Sequence, residues 1–237
     1  MLKCALGLSC VVGFACGPRP VDKVAAAVEV DHVYVYAPAK SAEDAVVKAL
    51  ASAGLAVEPK RNDFGDGVVG RYVRFENAYL EILWYDGRTP TDAETRRHAT
   101  WESSGASPFG IGLHRRAGVS GNLPFPTRSV VEPWMRPGTE ERKLGGVEDF
   151  AAPDLFVLPD YLVNRRPGMQ PLGIRRLTSV RVTVSSDGMT NGVALMNRAG
   201  LAEIQPGGKP LLELVFDAGV QNRSLDFRPH LPLTIGY

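Results

Sequence analysis

The chain has 237 residues, 44% hydrophobic and 22% charged, a balance that excludes disordered and fibrous classes and suffices for one or two cores without disulfide help. Its 27 basic and 26 acidic residues leave a net charge of +1, and no Lys/Arg block stands apart from acidic residues. A nucleic-acid partner is therefore not expected.

All three cysteines, Cys4, Cys10 and Cys16, fall in the first sixteen residues, so the body has neither a disulfide framework nor a cysteine zinc site. Lys3 precedes an apolar run from Ala5 to Ala15 that is shorter than the roughly 20 residues a membrane span needs. This pattern reads as a signal peptide over residues 1–16, followed by a linker over 17–27. Val12-Gly13-Phe14-Ala15-Cys16 resembles the lipobox of bacterial lipoproteins, with Gly13 and Phe14 departing from its usual residues. The resemblance implies an exported protein, periplasmic or held to a membrane through lipidated Cys16. An ordinary secretory signal and a misplaced start codon are the alternatives.

The body opens on Val30–Tyr36, whose alternation predicts a strand with His32, Tyr34 and Tyr36 on one face and Val33 and Val35 on the other. Ser41 and Asp44 form a capping-box pattern for a helix running to Ala53 through Val46, Val47 and Leu50, with Gly54 as its stop. Leu55–Val57, Arg71–Phe75 and Tyr79–Tyr85 read as strands, the first two separated by a Gly-rich loop over residues 62–70. The order is βαβββ. In the last strand Tyr79, Glu81 and Leu83 share one face, opposite Leu80, Ile82 and Trp84.

Residues 86–107 read as a polar loop, Phe109–Arg116 as a strand, and the Pro-rich stretch to Pro167 holds one strongly apolar run, Asp154–Leu162. Strands are predicted at Arg175–Ser185 and Lys209–Asp217, with a helix at Asn191–Ala199 stopped by Gly200. Leu177–Val182 echoes Val30–Val35, and Pro210–Val215 echoes Ala78–Leu83, which suggests a duplicated unit in one core.

With these motifs the chain resembles the glyoxalase-like branch of the vicinal oxygen chelate superfamily. Asp31-His32-Val33, Ala53-Gly54-Leu55, Tyr79–Leu83 and Phe109-Gly110-Ile111-Gly112-Leu113 carry the likeness, over roughly residues 28 to 235. The resemblance implies an α+β fold of paired βαβββ modules curling into a cupped mixed sheet. Module one would span about 28–88, central strands and loops 89–173, and a shortened second half 174–237. It further implies a divalent metal (Zn, Ni, Mn or Fe) on His32 and Glu81, with Ser179 and Glu213 as the second pair. Ser179 is a poor ligand, which leaves Glu213 as the third ligand and candidate base and disfavours a dioxygenase against a lyase or isomerase. If Phe109–Arg116 opens the second module instead, its ligand slot falls near Gly110, which has no donor.

The expected partner is a small molecule, either turned over or simply bound against Tyr34, Tyr36, Tyr79 and Trp84; a structural envelope protein is the third reading. His114 is a weaker second imidazole, while His98 and His230 read as surface or structural residues. Gly65–Gly70 fits G-x-G-x-x-G by letter, but a strand follows where a dinucleotide site needs a helix. Gly118-Val119-Ser120-Gly121 lacks the strand–Ser–helix setting of a nucleophile elbow. The Arg pairs 96/97, 115/116, 165/166 and 175/176 read as solvated faces.

Overall fold

The computed structural model describes residues 20–38, 41–65, 67–88, 93–132, 135–146, 148–162 and 167–237. The leader, with Cys16 and residues 17–19 of the expected linker, lies outside them, as do Arg165 and Arg166. Residues 20–27 of that linker form a helix, α1 (Pro20–Ala27), whose Val24 is buried in the common core.

Module one follows the order read from the sequence. Its elements are β1 (Val28–Tyr36), α2 (Glu43–Ser52), β2 (Asn62–Gly65), β3 (Val68–Arg74) and β4 (Tyr79–Tyr85). The first strand after the helix is Asn62–Gly65 rather than Leu55–Val57. Leu55 is buried where α2 ends, whereas the Gly-rich stretch makes a hairpin, β2 pairing antiparallel with β3. The predicted capping box is not made. Ala42 caps α2 without a side-chain bond, and Ser41 Oγ donates instead to the His230 carbonyl at 3.2 Å. Gly54 stops the helix as expected, at φ +92°, where a side chain is strained.

Module two lies between the polar loop and Pro167, and the alternative reading holds: the strand read at Phe109–Arg116 opens it. After α3 (Ala93–Ala99) and α4 (Trp101–Ser104) come β5 (Phe109–Arg115), β6 (Arg128–Val130), β7 (Glu141–Lys143) and β8 (Asp154–Val157). These join module one in an eight-stranded mixed sheet of order β2-β3-β4-β1-β5-β8-β7-β6. The two modules are mirrored in sequence about the central antiparallel pair β1·β5, and each outer pair, β1·β4 and β5·β8, is parallel. The sheet curls into a half-barrel, the expected cup.

Residues 174–237 do not form the second module. They make a separate five-stranded sheet of order β10-β9-β11-β13-β12. Its strands are β9 (Leu177–Val184), β10 (Glu203–Pro206), β11 (Leu211–Phe216), β12 (Ser224–Asp226) and β13 (Leu233–Gly236), with α5 (Asn191–Ala199) between the first two. The echo between Ala78–Leu83 and Pro210–Val215 thus joins strands of two different sheets.

One apolar core holds these layers. From the large sheet it takes Val33, Val35, Leu80, Ile82, Trp84, Phe109, Ile111 and Leu113. Val182, Leu212, Leu214 and Phe216 come from the small sheet. Val46 and Leu50 of α2 are fully buried in it, each contributing about 1.5–3 kcal/mol. Trp84 therefore turns into the core and is no wall of the cup. The other face of the large sheet carries a second, aromatic cluster that includes Tyr34, Tyr36, Leu83 and Phe156.

Candidate functional site

Alternation along β1 and β4 puts His32, Tyr34, Tyr36, Tyr79 and Glu81 on the inner face, as the sequence predicts. In the parallel register His32 pairs with Tyr79 and Tyr34 with Glu81. The His32 ring stacks on Tyr79 with centroids 4.5 Å apart, and its edge meets Phe156 at 5.5 Å. Its Nε2 lies 3.9 Å from Glu81 Oε2. Both side chains are buried, yet Glu81 Oε1 has no hydrogen-bond partner among the described residues. Burial raises the Glu81 carboxyl above the ordinary carboxylate range, against the lowering pull of His32, a hydrogen bond from Tyr72, and Arg74.

Two glycines make this packing fit. A Cβ on Gly112 would sit 2.2 Å from His32 Cε1, and one on Gly110 would sit 2.1 Å from Tyr34 Cε1. The two rings of β1 thus lie directly over the backbone of β5, which explains a Gly-x-Gly in an otherwise apolar strand.

Module two presents different chemistry. Lys143 is buried with its Nζ 3.0 Å from Glu94 Oε1, 3.2 Å from Asp154 Oδ2, and 3.6 Å from both Glu132 and Glu141. Tyr34 donates its hydroxyl to Asp154 Oδ2 at 3.2 Å. Burial acts to lower the Lys143 pKa, but Asp154 and the three glutamates outweigh it and hold the ammonium charged. Burial and the charge of Asp154 also push Glu141 up, to about 8, which favours its neutral form. His98 is not a surface residue. It is buried, stacked on Tyr36 at 6.0 Å, with Nδ1 2.7 Å from the Ser107 carbonyl oxygen.

Glu213 does not join His32 and Glu81. On β11 Leu212 and Leu214 turn into the core, while Glu213 turns the other way, across from Arg181. The core and both sheets separate it from the cup. Ser179 is exposed on β9 of the same small sheet.

The expected metal was tested on the donor set. Matching β1·β4 to β5·β8 aligns His32 with Gly110 and Glu81 with Phe156, neither of which can ligate. Among the described residues no group of three or more His, Cys, Asp or Glu side chains is placed to hold an ion. Two protein donors fall short of the three that catalytic zinc sites ordinarily have.

Sequence reasoning missed Asp31, Tyr72, His98, Lys143 and Asp154, and undervalued His114. Their signal is long-range pairing, which no local pattern displays. A separate hollow of about 200 Å³ lies outside the cup, lined by residues that include Trp101, Ser107, Val184 and Gly208.

No protein-family model matches the chain, and no curated protein matches it. Among solved structures, a hypothetical protein from Staphylococcus aureus aligns with 88% of this chain and 98% of its own, at 9% identity and a TM-score of 0.47. A triple mutant of 4-hydroxymandelate synthase from Streptomyces coelicolor aligns with 80% of this chain and 71% of its own, at 14% identity and a TM-score of 0.43.

Proposed function

We propose that this chain is a glyoxalase-like protein of the vicinal oxygen chelate type that takes a small molecule on the inner face of its cup. His32 and Glu81 move a proton on that molecule, as in a lyase or isomerase. The observation that carries the reading is the buried pair itself. The His32 Nε2 faces, at 3.9 Å, a carboxyl group whose other oxygen is unpartnered among the described residues. An orphaned buried oxygen is costly and rare, and a bound ligand is one ordinary reason for it. The raised Glu81 pKa favours its acid form, so Glu81 suits the donor and His32 the acceptor. Tyr72, Tyr79, Tyr34 and Phe156 around the pair suit a flat, largely apolar body with one carbonyl or hydroxyl at the pair.

The test is deuterium uptake from D₂O at the C–H next to the carbonyl of aromatic ketones and aldehydes, followed by NMR. Wild type should promote exchange, His32→Ala and Glu81→Gln should each lose it by about 10²-fold or more, and imidazole should restore the first. Equal exchange in all three proteins would end the proposal. The binding-protein alternative, favoured by the same aromatic wall, gives ligand-dependent thermal stabilisation with no exchange in any protein.

The reading includes export with Cys16 as the lipid-bearing first residue. Mass spectrometry of the native protein should then find residues 1–15 removed; an intact Met1 would refute it.

A further inference from the structure

Beside the pair stands a row of charged groups to which the proposed proton transfer gives no role. It begins with an irregularity in β1. Val30 pairs with Leu113 and His32 with Gly112, so two steps on β1 meet one step on β5 and Asp31 is the extra residue of a β-bulge. In a regular strand Asp31 would point opposite His32, into the apolar core. The bulge re-aims it, and two consecutive side chains serve the same face.

The contacts that result run in one line. Asp31 is 1% exposed, and its Oδ1 lies 3.0 Å from His32 Nδ1. Its other oxygen, Oδ2, lies 3.2 Å from His114 Nδ1. His114 Nε2 lies 2.9 Å from Glu29 Oε1, and Glu29 Oε2 takes the Arg116 guanidinium at 2.6 Å. Both nitrogens of His114 face carboxylate oxygens: Nε2 donates to Glu29, while Nδ1 meets Asp31 as a close charge contact without hydrogen-bond geometry. Glu29 and Arg116 are 41% and 43% exposed, so the row runs from solvent to the His32 ring.

We propose that Asp31 and His114 are positioning residues that fix the tautomer of His32. Asp31 accepts the Nδ1 proton, which leaves the Nε2 lone pair bare toward Glu81 and the cup. His114, clamped by Glu29, holds Asp31 in that orientation. The proposal rests on the acid–base reading above, because a proton acceptor at Nε2 requires this tautomer. The same logic governs serine-hydrolase triads, where a buried Asp selects the tautomer of its His and the Asn replacement inverts it.

The arrangement predicts what Asp31→Asn does. The His114 ring, 3.2 Å away, favours the side-chain oxygen on its side, so the amide NH₂ turns to His32 Nδ1 and donates to it. His32 must then carry its proton on Nε2. Asn has the shape of Asp, so the strand and its bulge are retained.

The experiment is a long-range ¹H–¹⁵N spectrum of the full chain labelled on histidine, at a pH where His32 is neutral. In wild type His32 should show a protonated Nδ1 and a bare, pyridine-type Nε2. In Asp31→Asn the two nitrogens should exchange character. A wild-type His32 protonated on Nε2 overturns the proposal without any variant, and an unchanged pattern in Asp31→Asn overturns it as well. Glu29→Gln, at the exposed end, should leave the wild-type pattern of His32 in place because Asp31 itself is intact. The readout needs no substrate. The expected tautomers in a protein with no exchange activity would support the positioning and sink only the acid–base reading; exchange activity with the wrong tautomer would sink the positioning alone.

Discussion

The two halves of the cup share a topology and differ in chemistry. In module one β1 and β4 bring His32 and Glu81 within 3.9 Å of each other, with the Arg74 guanidinium over the neighbouring Tyr72 and Tyr79 rings. In module two the corresponding strands offer Gly110 and Phe156, and the charge sits one strand further out, where Lys143 is held by four carboxylates. A buried ammonium ringed by carboxylates is satisfied by its own neighbours. A buried carboxyl with one unpartnered oxygen is not. The same parallel pair thus carries satisfied polar atoms in one half and an unsatisfied one in the other.

Substitutions should separate the halves most sharply in stability. Lys143→Met removes a buried ammonium from a set of carboxyl groups of which Glu141 is buried and the others are partly exposed, and chemical denaturation should show a loss of about 2–4 kcal/mol. A loss below about 1 kcal/mol would mean that the cluster is wet and contributes no more than a surface pair.

Gly112→Ala and Gly110→Ala come next. Each places a Cβ within van der Waals overlap of a ring that cannot retreat, and each should cost about 1–3 kcal/mol in the same measurement. Gly112→Ala should also displace the His32 resonances, while Gly110→Ala should displace those of Tyr34.

The smallest effect belongs to Glu81→Gln, and its sign depends on pH. Burial raises the folded-state pKa of Glu81, so its contribution to stability is full at low pH and is lost as pH rises through that raised value. Glu81→Gln lacks this loss. Thermal melts should place the variant level with wild type or below it at acid pH and above it once Glu81 ionises. A variant less stable than wild type across the range would show that the Glu81 carboxylate is a satisfied partner of its neighbours.

How much of this was legible in the sequence follows the same division. Module one was readable because β1 and β4 are nine and seven residues long, enough for the period of two to show both faces. Of module two only the seven-residue β5 was readable as a strand, since β6 and β7 have three residues each and β8 has four, too short for alternation to rise above a Pro-rich background. The Leu-Leu-Glu-Leu echo misdirected the second pair to Glu213. Any half-buried strand alternates in that way, whichever sheet it joins. Asp31 was hidden for the opposite reason: a strict period of two sends it into the core, and only the register with β5 reveals the bulge. Gly110 read as an empty ligand slot, although it and Gly112 are the space into which Tyr34 and His32 pack.

The central claim is that function lies in module one, at the His32–Glu81 pair. It is tested most directly by mapping, on the labelled full chain, which side chains shift when aromatic ketones and aldehydes are titrated in. The account predicts saturable shifts of the His32 and Tyr79 ring signals and the Glu81 carboxyl, all abolished in Glu81→Gln. Saturable shifts confined to the Trp101–Gly208 hollow or to the Lys143 cluster, with His32 and Glu81 unmoved, would contradict it.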